Sequence, residues 1–220
     1  MVGGAVSDFQ MNPYGNLSQF GAFADRIFLA MDQRDPYKGC LLVSAPDLRD
    51  EVFSRSVIYL FEHDDTQGTF GIILNQQSEV SVHSVLPLFA PYCSKPASFF
   101  IGGPVETERV TGLLRLKPDC PVDLSLMHPV RGRTFLMDPT AHTIYRTQDI
   151  RESYRLYMGY CAWRPGQLAE EIAAGDWYVC DALDKDFATD HHTDLYAQVV
   201  RRQPWPLSLY ASRPVDPRLN

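Results

Sequence analysis

Residues 157–179, YMGYCAWRPGQLAEEIAAGDWYV, constrain the fold of this chain more than any other stretch. An apolar aromatic run with Tyr157, Met158, Tyr160, Ala162 and Trp163 meets Pro165-Gly166. A short helical pattern follows, then Gly175 and a second apolar run, Trp177-Tyr178-Val179. Proline fits the first turn of a helix, where its missing N–H is no loss. Leu168 and Ile172 are four apart and share a face. Glu170 and Glu171 fall where negative charge suits the helix dipole. Gly175 suits the left-handed residue that ends a helix. The segment predicts strand, tight turn, short helix, strand.

Three more apolar runs precede it. Cys40-Leu41-Leu42-Val43-Ser44, closed by Ala45-Pro46, reads as a strand. Residues 56–62 and 70–75 read as two others, the first apolar enough for burial on both faces. Only the polar stretch His63-Asp64-Asp65-Thr66-Gln67-Gly68 separates them. A parallel crossover needs a dozen residues or more, so the pair is an antiparallel hairpin. Further strands are predicted over residues 97–101, 111–116 and 134–137, and a helix over 80–89 stopped by Pro87 or Pro91. Residues 150–156 fit either element. A final helix is predicted over 194–202, with Leu195, Tyr196 and Val199 on one face. Pro118, Pro121, Pro129 and Pro139 make the middle connections loops.

The ends are different in kind. Residues 1–16 are rich in Gly, Asn and Ser and read as loose. Leu17, Phe20, Phe23, Ile27, Phe28 and Met31 recur at helical spacing and predict an amphipathic helix over 18–33. Its stripe faces either the domain or a partner. After Gln203, Pro204, Pro206, Pro214 and Pro217 predict extended chain. Hairpins mixed with short helices, without regular strand–helix–strand alternation, indicate a single α+β domain over residues 39–202. Residues 1–38 form an N-terminal extension and 203–220 a proline-rich tail.

Composition narrows the function classes. The net charge of −7 opposes sequence-independent nucleic-acid binding, which needs a basic surface. Five scattered cysteines without a CxxC pair give no zinc knuckle or thioredoxin-type site and read as reduced thiols of a cytoplasmic protein. The N-terminus lacks the basic and apolar regions of a signal peptide, and no apolar run is long enough to span a membrane. There is no GxSxG, GxxxxGK[ST], GxGxxG or HExxH, and nothing calls for a cofactor or metal.

The candidate site residues carry paired readings. In Glu62-His63-Asp64-Asp65, His63 can act as a general base oriented by a carboxylate; the plainer reading is a solvated hairpin tip. Arg55 either clamps an anion or pairs with an acid such as Asp47, Asp50 or Glu62. Asn75 is a strand terminator. Gly102-Gly103-Pro104 is an anion nest or, more simply, a bend. Arg164 and Gln167, at a helix start, are placed for an anion or partner contact. Asp190-His191-His192-Thr193-Asp194 mixes metal-ligand types but fits a polar loop capping the last helix better. Arg201-Arg202 with Trp205 is the sole basic-aromatic patch.

Five blocks in register resemble the YqgE/AlgH family. They are GCLLVSAP from Gly39, FSRSVIYLFEH from Phe53, GIILN from Gly71, Gly102-Gly103-Pro104-Val105, and Gly159-Tyr160-Cys161-Ala162-Trp163 with Pro165-Gly166-Gln167-Leu168, Glu171 and Trp177. The resemblance implies a single α+β domain with a strongly bent, partly closed, mostly antiparallel sheet flanked by helices. It also implies a bacterial, cytosolic protein, in a family some of whose members are labelled transcriptional regulators, and it transfers no catalytic residue. This chain departs from the pattern at Asn75-Gln76-Gln77, where many members have Asn-Arg/Lys-Pro, and at Leu114-Arg115, where Leu-His is common. Acidic charge, missing catalytic signatures and added termini favour a non-enzymatic binding or regulatory protein acting through protein contacts. The alternatives are a small-ligand binder or enzyme using a cleft near Arg55, Glu62, His63 and Gly102-Gly103, and a regulator contacting DNA.

Overall fold

A computed structural model describes residues 34–120, 127–188 and 193–212. The hairpin runs become β1 (Cys40–Ser44), β2 (Val57–Asp64) and β3 (Gly68–Ile73). They are followed by β4 (Gln77–Ser81), β5 (Ser98–Ile101), β6 (Val105–Leu116), β7 (His128–Arg131), β8 (Thr134–Met137), β9 (Arg151–Trp163) and β10 (Trp177–Asp181). The helices are α1 (Val82–Val85), α2 (Ala141–Arg146), α3 (Gln167–Ala174) and α4 (Leu195–Arg201). The ladder runs β10-β1-β2-β3-β9-β6-β8-β7, antiparallel throughout, and β5 joins β9 in parallel while pairing with β4. This is the α+β architecture expected.

Several elements differ from expectation. The helix predicted over 80–89 shrinks to α1, because β4 takes residues 77–81 into a pair with β5 and the Ser81 side chain caps the helix that follows. Residues 150–156 are neither loop nor helix but the first half of β9. β7 and α2 were hidden among prolines. The extended chain expected after Gln203 instead coils into a 3-10 segment, Leu207–Ser212, which buries Leu207 and Ala211. The helix predicted over 18–33 and the histidines at 191–192 lie outside the described residues.

Strand alternation sorts the core. Leu41, Val43, Val57, Tyr59, Ile72 and Leu74 face an inner cluster closed by Leu195, Tyr196, Val199 and Val200 of α4. Cys40, Leu42, Ile58, Leu60 and Ile73 face outward onto Leu168 and Ile172 of α3. Burial on both faces explains why these strands read as unbroken apolar runs. A third cluster, with Leu114, Leu116, Phe135, Tyr154 and Leu156, covers the outer face of the other half.

The sheet curls strongly. β2 and β7 are separated in the ladder by β3, β9, β6 and β8, yet the Tyr59 hydroxyl donates to the Val130 carbonyl of β7 at 2.9 Å. Across the same gap, Arg131 Nε pairs with Asp184 at 3.3 Å and Arg115 Nη1 donates to the Asp184 carbonyl at 3.3 Å. The ladder still ends at β10 and β7 without closing.

β9 is the hinge of that curl. Tyr157 packs into the inner cluster, whereas Cys161 and Trp163, an even number of residues on, pack into the outer one. The alternation therefore slips phase between them, at Gly159, whose φ is +70°. The turn between β5 and β6 crosses there. A Cβ on Gly102 would lie 2.3 Å from the Gly159 carbonyl oxygen, and one on Gly159 would lie 2.3 Å from that of Gly103. Gly102 also donates to Met158 O at 2.7 Å and accepts from the Ile73 N–H at 2.9 Å. Only glycine allows two backbones this close. Gly102→Ala is expected to lower stability by more than about 3 kcal/mol in urea denaturation. Gly166→Ala, with open space around it, carries only the left-handed backbone penalty of roughly 1–2 kcal/mol. Equal midpoints for the two variants would refute the crossing as a constraint.

Candidate functional site

The structure disperses the residues singled out from sequence. Arg55 lies just before β2 with φ +54°. Its Nη2 meets Asp194 at 2.6 Å, its guanidinium lies 4.6 Å from the centre of the Tyr196 ring, and its side chain is only 19% exposed. Asp194 was not among the acids proposed for it. Because Asp194 also accepts from the Ala197 N–H and so caps α4, Arg55 fastens that helix to the sheet. Asn75 spans the start of β2: its Nδ2 donates to Arg55 O at 2.8 Å and its Oδ1 accepts from the Val57 N–H at 2.8 Å. His63, at the far end of β2, contacts Thr69 Oγ1 through Nδ1 at 2.7 Å and Asp65 through Nε2 at 3.5 Å. At about 3.3 Å per strand residue, Arg55 and His63 stand roughly 25 Å apart. Gly102 and Gly103 are spent on the backbone crossing. The single cleft of Arg55, Glu62, His63 and Gly102-Gly103 is therefore not formed. His63 and Arg164 do line one pocket of about 280 Å³ at the start of α3, and Glu62 lies on a different cavity.

The recognisable C-terminal motif is consumed by one carboxylate. Trp163 Nε1 and Trp177 Nε1 both donate to Glu171 Oε2 at 2.8 Å. Gln167 Nε2 donates to Glu171 Oε1 at 3.0 Å, and Gln167 Oε1 accepts from the Arg164 N–H at 3.1 Å. The two indoles sit edge to face, 6.2 Å between centres. Pro165 lies just outside the first turn expected for it, since Gly166 in the left-handed region is the N-cap and Gln167 the first helical residue. The basic-aromatic patch is likewise occupied: Arg202 grips the fully buried Asp186 through two 2.6 Å contacts.

One cavity was not anticipated. It holds about 530 Å³ on the inner face, where the curled halves of the sheet approach each other. Its apolar wall includes Phe61, Phe70, Ile72, Leu136 and Met137. Its polar rim carries Lys38, Glu62, Arg109, His128 and Tyr160. Three breaks in strand register surround it. The break between Leu60 and Glu62 turns Glu62 to the same side as Phe61, toward the cavity. The break between Val105 and Val110 lifts residues 106–109 out of the ladder and brings Arg109 to the rim. His128, opposite the cavity residue Leu136, and Pro129 reach the rim just before the break between Pro129 and Arg131. Bulges re-aim side chains and concentrate next to functional sites. No sequence signal marks these bulges, because they depend on which strand lies opposite.

Rim charges are held in pairs. Lys38 Nζ meets Glu62 at 2.8 Å, Arg109 Nη1 meets Glu106 at 3.5 Å, and the Tyr160 hydroxyl donates to Glu106 at 3.0 Å. The segment carrying Lys38 is tied down by Arg34 and Tyr37, which both bind Asp181. Those two hydrogen bonds, the Tyr37 one first, hold the Asp181 carboxyl below its usual range. Thiol chemistry is not prepared. Burial pushes Cys40 and Cys93 up to about 11 and Cys180 up to about 12, so they stay protonated at neutral pH. Among the described residues no cluster of His, Cys, Asp or Glu could hold a metal ion, and no helix is long and apolar enough to cross a membrane.

Fold and site together define an α+β protein whose open, curled sheet wraps an inner cavity. The chain belongs to the AlgH-like family, DUF179, which matches residues 41–208. It is similar to the UPF0301 protein CE2927 of Corynebacterium efficiens, with 39% identity over 198 residues, 90% of this chain and 98% of that one. A UPF0301 protein of Mycobacterium tuberculosis is 42% identical over 180 residues, 81% of this chain and 88% of its own. The crystal structure of protein DIP2367 from Corynebacterium diphtheriae matches with a TM-score of 0.77 and 36% identity, covering 86% of this chain and 99% of that chain. The solution structure of AlgH from Pseudomonas aeruginosa, at TM-score 0.59 and 23% identity over 84% of this chain and all of its own, shares the fold.

Two outcomes follow from these contacts. Glu171→Ala strips the acceptor from two indoles and is expected to lower stability by roughly 2–4 kcal/mol, with altered near-ultraviolet circular dichroism. Glu171→Gln, which keeps an acceptor oxygen, should lose less. Because the folded Asp181 carboxyl is held below its unfolded value, its contribution is complete above about pH 4 and disappears as pH falls through the folded value. Asp181→Asn should therefore flatten the acid limb of urea stability measured from pH 6 to 3.

Proposed function

We propose that this is a non-enzymatic binding protein that holds a small molecule in the inner cavity. The carrying observation is that two register breaks each add a charged side chain, Glu62 and Arg109, to one concavity whose edge a third break borders. A space of about 530 Å³ lies within the range of small-molecule sites. An apolar wall with a few polar groups at its mouth is the usual composition of such sites. Five free cysteines, four of them buried, support a reducing compartment, the cytoplasm.

A second reading, binding through protein contacts, is favoured by a different surface. Around β4 and α1, Val80, Val85 and Leu88 are 39%, 54% and 76% exposed. Exposed apolar residues grouped on one surface mark partner contacts. The two readings combine in a regulator whose partner contact depends on the ligand.

Thr111, half-buried on β6, lines the cavity. Thr111→Trp is expected to fill the cavity and leave the fold intact by circular dichroism. In a thermal-shift screen of metabolites, compounds that raise the Tm of the wild type should lose their effect on this variant. A ligand at 100 times its Kd stabilises by about 2.7 kcal/mol. Identical shifts in both proteins would place binding elsewhere and reject the reading. Absence of any shift, with a partner lost on Leu88→Asp, would leave the protein-contact reading in its place.

A further inference from the structure

Building on the reading that the cavity binds a small molecule, we infer that its ligand is a planar heteroaromatic ring with hydrogen-bonding groups along its edge. The cavity wall carries a row of three aromatic rings, one from each of three adjacent strands. Phe61 of β2 stacks with Phe70 of β3 at 6.4 Å and 22° between planes, and Phe70 meets Tyr160 of β9 at 6.1 Å and 50°. All three are half-buried and all three line the cavity, so part of each ring is open to it. Phe61 and Phe70 reach the row by regular alternation from Tyr59 and Ile72, and two irregularities complete the site. The break between Leu60 and Glu62 turns Glu62 to the same side as Phe61, and the phase slip at Gly159 turns Tyr160 inward. Leu136 and Met137 supply aliphatic surface elsewhere in the cavity. Aromatic rings pair with a further ring either offset-stacked or edge to face, at centre distances of about 4.5–7 Å, and such a pair gains more than the area it buries. An alkyl chain gains the buried area alone.

The rim specifies the edge of that ring. Lys38 is paired with Glu62 and Arg109 with Glu106, and Asp138 and His128 stand on the same rim, so the mouth offers both donors and acceptors. An anionic ligand drawn to Lys38 or Arg109 would have to displace the carboxylate already paired with it. A neutral ring with alternating donors and acceptors, of purine or isoalloxazine type, meets the rim without doing so.

The test uses the full-length protein and three probes: riboflavin and adenosine as planar heterocycles, and decanoate as an aliphatic counterpart. Binding is measured by calorimetry on the wild type, Phe70→Leu, Tyr160→Leu, Tyr160→Phe and Thr111→Trp. At least one planar probe is expected to bind. Phe70→Leu and Tyr160→Leu should each weaken it at least tenfold, Tyr160→Phe should bind as the wild type does, and Thr111→Trp should abolish binding. Should Phe70→Leu fail to fold, ring-proton shifts of Phe61, Phe70 and Tyr160 on adding the probe to wild type report the same contact. Decanoate binding that is lost in Thr111→Trp, without planar binding, would overturn the aromatic assignment while leaving the cavity reading intact. Planar binding undiminished in both leucine variants would overturn it too. No binding by any probe, or binding unaffected by Thr111→Trp, would reject the inference; combined with a metabolite screen showing no cavity-dependent shift, it would reject the cavity reading as well.

Discussion

Two backbones cross at Gly102-Gly103 and Gly159 at a distance that excludes any side chain, and the rest of the molecule is arranged around that crossing. It lets β5 lie beside the middle of β9 while β3 takes the end of the same strand. One strand thereby serves both halves of the sheet. The slip at Gly159 then sends Trp163 outward to α3 and leaves Tyr160 facing the cavity. Curl, cavity and helix packing all descend from one place where a Cβ cannot exist. The resemblance noticed among Gly102-Gly103, Gly159-Tyr160 and Trp163 is thus geometric in origin.

Local features were legible in the sequence. The β2–β3 hairpin followed from a short polar loop between apolar runs, and β10 and α3 followed from helix-start and helix-stop residues. What could not be read is whatever depends on a distant strand. β7 and α2 are short and lie among prolines, and they are stabilised by what they pack against. β4 displaced most of a predicted helix because β5 was there to pair with it. The same limit applies to the site. Arg55 found Asp194, 139 residues away, and Tyr59 found a carbonyl 71 residues away. The cavity is bounded by bulges, and a bulge is a relation between two strands that neither sequence displays alone.

Polar residues that looked chemical turned out to be fasteners. Glu171 takes two indole N–H groups on one oxygen, Asn75 stitches the start of β2, and Arg202 neutralises Asp186 in the interior. A buried carboxylate left without such partners is strongly unfavourable, so removing a partner costs more than the contact itself contributes. These fasteners lie away from the cavity, whose own charged pairs, Lys38 with Glu62 and Arg109 with Glu106, are exposed and only weakly coupled. The rigid pairs hold the frame, and the loose ones line the opening.

The place of β10 in the ladder has a consequence for how the chain is made. Among the described residues β10 is the last strand synthesised, yet it pairs along the full length of β1, the first. At about 5–20 residues per second, roughly 7–30 s pass between the emergence of the two from a ribosome. Through that interval the β1–β2–β3 hairpin unit has Leu42 and Val43 along an edge without its neighbour. Edges of this kind are templates for pairing with another chain. The nascent protein thus depends on slow-arriving sequence to cover that edge of β1.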